Sequence, residues 1–426
     1  MKKRGFFVLT SLVLAAVMSL CVCAYAAADG DADSTLGRFY LESFGISTDG
    51  MDNDTPVSRG FAAKVISMML FDGMTVDTAD GGFADIAADS DVASAAYLLG
   101  KAGIMNGDGI YFSPNDTVTY SQAAKIFVAS LGKSIAAEAK GGYPAGYIAV
   151  AASDGIFDGV NVKNDDALTF GDFAKMFYNY TDCKGFVLTG DRFSQYEKDD
   201  KTIFERKLDR CDMMYIEGIV TANQFGSAAD DETGKISIDG TAYDLACDVD
   251  ADIIGYAADV FLTKKNSKYI VTSVMADPGE NEVFRVEGAD IASVSLSEIK
   301  YYDGAKTRTL NLSDVSAVRN GKIMTAYTKD DLVPLNGGLV LVDNDSDGKY
   351  EYVYVENKQY FKVARVNTDA NVIALDDAKY EGSAMLYINP DDSEFYHRIY
   401  TQSGDEASFA DIKADGMIRI EGSTEQ

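Results

Sequence analysis

The chain has 426 residues, with 67 acidic side chains against 38 lysines and arginines and a net charge of −29. A surface this anionic repels nucleic acid and anionic lipid, so neither is expected as a partner, and a hydrophobic content of 47% excludes a disordered acidic tail. A single histidine, His397, and no tryptophan exclude most Ser-His and Cys-His triads and histidine-rich zinc sites. His397 lies in the strand-like run "EFYHRIY" and is read as structural.

The first element is a targeting segment. Met1-Lys2-Lys3-Arg4 is basic, Phe6 to Cys23 is almost wholly apolar, and Ala24-Tyr25-Ala26 is a small-x-small cleavage pattern. Together they predict a secretory signal peptide over residues 1–26. Leu20 and Val22 stand where a lipoprotein signal wants a small residue before Cys21 or Cys23, which disfavours a lipid anchor. No later stretch is long and apolar enough to span a bilayer. Cys183, Cys211 and Cys247 remain beyond the signal; their spacing fits no metal site, and buried free thiols are expected.

Three similar units follow. Gly45-Ile46, Gly103-Ile104 and Gly155-Ile156 each close a helical stretch: "STLGRFYLESF", "DVASAAYLLGKA" and "GYIAVAASD". Glycine past a helix end takes the left-handed conformation, and the apolar residue after it packs back on the last turn. Each pair leads through a loop to a helix start at Ser58, Thr119 or Thr169. Thr119 with Gln122, and Thr169 with Asp172, have capping-box spacing. Downstream, Phe61/Val65/Met69, Ala123/Phe127/Leu131 and Phe173/Phe177 keep one helical face apolar. Two short helices cannot bury such faces alone, so the three pairs are expected to share one core.

The second unit, "FADIAADSDVASAAYLLGKAGIMNGDGIYFSPNDTVTYSQAAKIFVASLG", resembles an S-layer homology (SLH) repeat. Phe83 and Asp85 match its opening Phe-x-Asp, Gly103, Ile104 and Gly107 its Gly-Ile-x-x-Gly, and Phe112 and Pro114 its Phe-x-Pro. The third unit keeps Gly155, Ile156, Gly159 and Thr169, and the first keeps Gly45, Ile46, Gly50 and Ser58-Arg59. The resemblance implies a pseudo-threefold α-helical domain built from repeats over 34–75, 80–133 and 140–182. It also implies non-covalent binding to secondary cell-wall polysaccharide, with other S-layer subunits as further partners. The arginine of the family's Thr-Arg-Ala-Glu helix start is a main contact to the anionic glycan, and only Arg59 matches it. The residues offered for glycan contact are therefore Arg59 and Asp85, with Tyr120 and Phe170 at the positions equivalent to Arg59 in the other repeats. For those two aromatics the alternatives are stacking on sugar and simple packing.

From about residue 205 the pattern alternates with period two, in runs such as "IEGIVTAN", "KISIDGTAYDL", "GGLVLVDND" and "YEYVYVEN". Asp239-Gly240, Asp303-Gly304 and Asn320-Gly321 are hairpin turn signals. The fold class expected is multidomain α + β: helical repeats, then antiparallel β small barrels or sandwiches. The β segments are a barrel-like domain over 205–279, a β domain over 280–358, and a second barrel-like domain over 359–426, complete or incomplete, that loosely echoes the first.

Residues 343–351 read "DNDSDGKYE". Asp343, Asp345 and Asp347 alternate, Gly348 permits a sharp turn, and Glu351 stands ninth. With the carbonyl of Lys349, these oxygens have the spacing that wraps one Ca²⁺, here between two strands rather than in an EF-hand, since the twelfth residue is Tyr354. The alternative is a solvated acidic turn.

The function expected is non-catalytic: an exported surface protein anchored through the helical repeats and displaying β domains. The rivals are an anchored glycan hydrolase, for which no pair of carboxylates is singled out, and an adhesin using the 25 tyrosines as stacking platforms.

Overall fold

The computed structural model describes residues 6–11, 32–76, 82–189, 195–223, 234–319, 322–378, 383–388, 396–401 and 406–423. It divides into two compact units, one of Asp29–Tyr215 with Phe261–Ser273, the other of Met1–Ala28, Ile216–Val260 and Val274–Gln426. The fold is mixed α + β.

In the first unit the helices are α1 (Ala32–Ser43), α2 (Arg59–Phe71), α3 (Ala93–Lys101), α4 (Tyr120–Ser130), α5 (Ser134–Ala139), α6 (Ala145–Ser153), α7 (Phe170–Thr181) and α8 (Ile203–Arg210). Their ends follow local chemistry. Gly45, Gly103 and Gly155 have φ of 83°, 70° and 79°, and the N–H groups of Ile46, Ile104 and Ile156 donate to Leu41, Leu99 and Ala151 at 2.9–3.0 Å. Ser58, Thr119 and Thr169 accept from the third residue of α2, α4 and α7. The capping box is complete at Thr119, whereas the Asp172 carboxylate is engaged instead by the Tyr120 hydroxyl.

The three helix starts are wired in a cycle. Val57 N–H donates to Leu168 carbonyl at 2.9 Å, Leu168 N–H to Val118 at 2.8 Å, and Val118 N–H to Val57 at 2.8 Å. Each is the residue before a cap, and each is fully buried. A second set runs alongside: Gly60 N–H to Pro114 carbonyl (2.8 Å), Ser121 to Asn164 (3.0 Å), and Gly171 to Asn53 (2.9 Å). A Cβ on Gly60 or Gly171 would stand 3.0–3.1 Å from the next unit's loop, so this close approach needs a small residue. Phe127, wholly buried, lies 5.6 Å from Phe173 and 5.0 Å from Tyr180, which joins α4 to α7.

Helices α1 and α7 pack so closely that a Cβ on Gly37 would lie 2.0 Å from the Ala174 carbonyl oxygen. Gly37→Ala is expected to push the helices apart at a cost of about 1–3 kcal/mol, read as a lower midpoint in thermal unfolding followed by helical circular dichroism. An unchanged midpoint would mean that the helices slide freely.

Residues 203–210, where the sequence suggests the onset of β structure, form α8. Its face carries Ile203, Arg206, Lys207 and Arg210, so its helical period lies in cations rather than apolar groups. Lys207, only 2% exposed, donates to the Met68 carbonyl and to Asp72 at 3.0 Å each. Arg210 donates to the carbonyls of Met69 and Leu70. These are free carbonyls at the C-terminus of α2, where cations are favoured.

The strands are β1 (Phe6–Ser11), β2 (Lys184–Thr189), β3 (Gln195–Thr202), β4 (Met213–Ala222), β5 (Lys235–Ile238), β6 (Thr241–Leu245), β7 (Ala257–Lys265) and β8 (Lys268–Ala276). Then come β9 (Glu282–Glu287), β10 (Ile291–Val294), β11 (Glu298–Asp303), β12 (Lys306–Arg319), β13 (Lys322–Ile323), β14 (Gly338–Asp343) and β15 (Tyr350–Val355). The last are β16 (Lys358–Asn367), β17 (Val372–Leu375), β18 (Met385–Tyr387), β19 (Tyr396–Tyr400), β20 (Glu406–Ala407) and β21 (Met417–Ser423).

Strands β4-β5-β6-β8-β7 close a barrel, with Asp239 (φ 48°) and Gly240 (φ 76°) at the β5–β6 turn. The second β module orders its strands β10-β11-β12-β15-β14-β9. Its β14 lies between β15 and β9 and is buried at every position. The third runs β18-β17-β16-β21-β1-β19-β20, an open order among the described residues; β16 and β17 pair antiparallel, as β4 and β5 do.

The sheets are not wholly antiparallel as expected: β12 pairs with β15, and β1 with β19, in parallel. The long segment between β12 and β15 brings the chain back in the same direction, which a two-residue turn cannot do. Of the segment read as a signal peptide, only β1 is described; it stands between β21 and β19 in the third sheet, and cleavage after Ala26 would remove it from there. Asn320-Gly321 also lies outside the described residues. His397 lies in β19, a strand as its surroundings suggest.

Candidate functional site

Arg59, the first residue of α2, reaches the loop that follows Gly103. Its Nε donates to the Phe112 carbonyl at 3.1 Å, its Nη2 to the Asn106 carbonyl at 3.5 Å, and its guanidinium stands 5.0 Å from the centre of the Phe112 ring. Asp85 holds the same stretch, accepting from Phe112 N–H at 2.9 Å and Ser113 N–H at 2.7 Å. The structure thus brings Arg59 and Asp85 together around one loop. Burial lowers the Arg59 pKa, with Asp116 and Asp85 opposing, and an arginine stays charged at any ordinary pH. Slight burial of Asp85 is outweighed by the two N–H donors, which hold its carboxyl below the usual range. Arg59 forms no ion pair among the described residues, and Ile110 and Tyr111 in its loop are exposed, at 60% and 50%. The result is a half-buried guanidinium without a paired carboxylate, next to an exposed aromatic residue. Such a guanidinium can pair with a carboxylate or phosphate brought from outside.

Tyr120 and Phe170 are 1% and 0% exposed. Their faces are covered by protein, so both pack and neither is open to a sugar ring. The Tyr120 hydroxyl bonds Asp172, and burial followed by that carboxylate drives its pKa upward. Phe170 lies beneath Arg38 of α1, whose guanidinium is 4.4 Å from the ring centre. Nothing in the sequence pattern singles out Arg38, since it stands mid-helix outside every repeat motif.

In the acidic loop between β14 and β15, the carboxylate oxygens of Asp343, Asp345 and Glu351 lie within 4.8 Å of one another. Asp347 is not among them: its carboxylate takes the Lys349 ammonium at 2.9 Å and the Lys349 N–H at 2.8 Å. Asp343 is fully buried and accepts from Asp345 N–H and Gly348 N–H. Burial, then the charges of Asp343, Asp345 and Asp347, push the Glu351 carboxyl above its usual range.

Gly348, at φ 83°, turns the loop as its position suggests, and Ser346 also has positive φ. The residues between the acids clamp the loop from outside. Asn344 Nδ2 donates to the Gly255 carbonyl at 2.7 Å and Ser346 Oγ to the Glu280 carbonyl at 3.1 Å. Three convergent carboxylate oxygens on a fixed turn are a hard donor set, suited to Ca²⁺ or Mg²⁺ rather than to a thiophilic metal.

Cys183, Cys211 and Cys247 are free thiols, but only Cys183 is buried as expected, and Cys211 and Cys247 are half-buried. Burial pushes Cys183 up to about 12 and Cys247 up to about 11, so neither supplies a thiolate nucleophile. Among the described residues no helix is long and apolar enough to cross a membrane. Compared with models of known protein families the chain matches none, and no curated protein matches it.

Proposed function

We propose that the chain is an exported, non-catalytic surface protein whose residues 34–182 form a pseudo-threefold SLH-like domain that binds an anionic secondary polysaccharide of the cell wall. The β modules are then displayed outward, and other S-layer subunits are potential neighbours. The observation that carries the reading is the hydrogen-bond cycle through Val57, Val118 and Leu168, with Arg59 seated across one of its junctions. A cycle of equivalent contacts is what three tandem copies of one unit produce when they pack as a ring. The guanidinium at the junction supplies the positive group that an acidic saccharide needs in a protein otherwise strongly negative. The basic and apolar start of the sequence supports export, and a wall rich in divalent cations suits a charge of −29. We further propose that Asp343, Asp345 and Glu351 hold a Ca²⁺ ion that stiffens the β14–β15 turn.

The test is co-sedimentation of the full chain with purified cell walls that keep or lack their secondary polysaccharide. Binding is expected only to walls that keep it. Arg59→Ala is expected to weaken binding at least tenfold, because a charge-assisted contact is worth about 1.5–3 kcal/mol. Equal sedimentation with stripped walls would overturn the reading, and equal sedimentation of wild type and variant would remove Arg59 from it.

A further inference from the structure

The three junctions of the cycle do not carry their cations at the same sequence position. At the first, Arg59 of α2 donates to the Asn106 carbonyl, three residues past Gly103. At the junction where α7 meets the first unit's loop, Phe170 takes the place of that arginine. There Arg38 of α1 supplies a guanidinium. Its Nη1 donates to Thr48 Oγ1 at 2.9 Å and to the Thr48 carbonyl at 3.5 Å, and its Nη2 to the Met51 carbonyl at 2.5 Å. Thr48 stands three residues past Gly45, so it is the counterpart of Asn106.

Arg38 and Arg59 thus share one equivalent loop carbonyl, Thr48 and Asn106 at 3.5 Å each, while their second carbonyls, Met51 and Phe112, differ in position. Each guanidinium lies over a phenylalanine ring, at 4.4 Å on Phe170 and 5.0 Å on Phe112. At this junction the guanidinium comes from α1, the helix packed against α7. Arg38 is half-buried and forms no ion pair among the described residues. The Glu42 carboxylate reaches Arg38 only through the Thr48 hydroxyl, which accepts from Arg38 and donates to one Glu42 oxygen. The remaining junction differs. Its cation, Lys175, donates to the Gly159 carbonyl at 3.0 Å and is only 6% exposed, so it is enclosed.

We propose that Arg38, seated on Phe170, is a second contact for the acidic groups of the saccharide, equivalent to Arg59 on Phe112. The inference rests on the glycan-binding reading above and extends it to a position with no motif. Planar, weakly hydrated guanidinium on a ring is preorganised to pair with a carboxylate or phosphate on its open edge.

The experiment uses the full chain and wall preparations that keep their polysaccharide, with Arg38→Gln, Arg38→Ala, Arg59→Ala and the Arg38→Gln/Arg59→Ala pair. Glutamine keeps a flat polar group that can donate to the loop carbonyls but removes the charge, so Arg38→Gln should fold even if Arg38→Ala does not, as a thermal melt would show. Arg38→Gln is expected to bind about tenfold more weakly and to lose part of the ionic-strength dependence of binding. The pair should bind more weakly than either single variant. A merely structural role would lower the melting temperature without flattening the salt dependence. Wild-type binding that falls with Arg59→Ala but is unchanged in strength and salt dependence by Arg38→Gln overturns this inference alone. Absence of wild-type binding overturns the reading and the inference together.

Discussion

Phe127→Ala is expected to destabilise the helical unit by about 3–5 kcal/mol and to lower its melting temperature by roughly 10 °C. The ring is fully buried between α4 and α7, against Phe173 and Tyr180, so its loss leaves a cavity where two sequence repeats meet. The backbone cycle through Val57, Val118 and Leu168 ties all three helix starts together, and loosening one junction strains the other two. One cooperative transition, shifted as a whole, is therefore expected in helical circular dichroism. The exposed Ile135 provides a control: at 86% exposure its change to Ala should alter stability by no more than about 0.5 kcal/mol. If Phe127→Ala instead melts part of the helix signal early and leaves the rest at the wild-type midpoint, the repeats do not share one core.

The features legible in the sequence are those fixed by neighbours in the chain. Ser58, Thr119 and Thr169 cap their helices, and Gly45, Gly103 and Gly155 end theirs, because a cap or stop needs only three to five residues. The pairing of Val57 with Leu168 spans more than a hundred residues, and nothing local specifies it. One trace of it stands in the sequence: the small residues Gly60, Ser121 and Gly171, each two past a cap, where the next loop comes close.

Helix α8 was hidden because its repeating face is basic; the apolar rule cannot find a helix whose partners are free carbonyls and Asp72. The parallel pairing of β12 with β15 was equally invisible, since alternation gives which face is buried and not which way a strand runs. At the acidic loop the spacing marked four acids, but Lys349 draws Asp347 away, an effect of one side chain on another two residues off. Arg38 shows the same limit at longer range: its role depends on Phe170, which only the fold brings beneath it.

Calcium is expected to raise the melting temperature of the β unit, and the size follows from the site. Asp343, Asp345 and Glu351 bring three carboxylate oxygens within 4.8 Å of one another, and Asp347 is turned to Lys349. Without a cation, Glu351 is disfavoured as an anion by burial and by the neighbouring acids. A bound Ca²⁺ reverses that, because it needs all three groups ionised. Extracellular sites of this kind work at roughly 10⁻⁴ to 10⁻³ M. At about tenfold excess over such a dissociation constant, binding adds about 1.4 kcal/mol to the folded state, a rise of roughly 3–5 °C.

Magnesium should do less, since it demands six tight ligands and parts reluctantly with water. Asp345→Asn combined with Glu351→Gln should abolish the calcium effect, while the midpoint without metal stays level or rises as repulsion is relieved. Asp347→Asn alone should leave most of the effect, because that carboxylate is turned to Lys349. Scanning calorimetry of the full chain in calcium, in magnesium and in chelator measures all of these. The same response in wild type and in the Asp345/Glu351 double variant would make the loop a solvated acidic turn held only by Asn344, Ser346 and its own backbone.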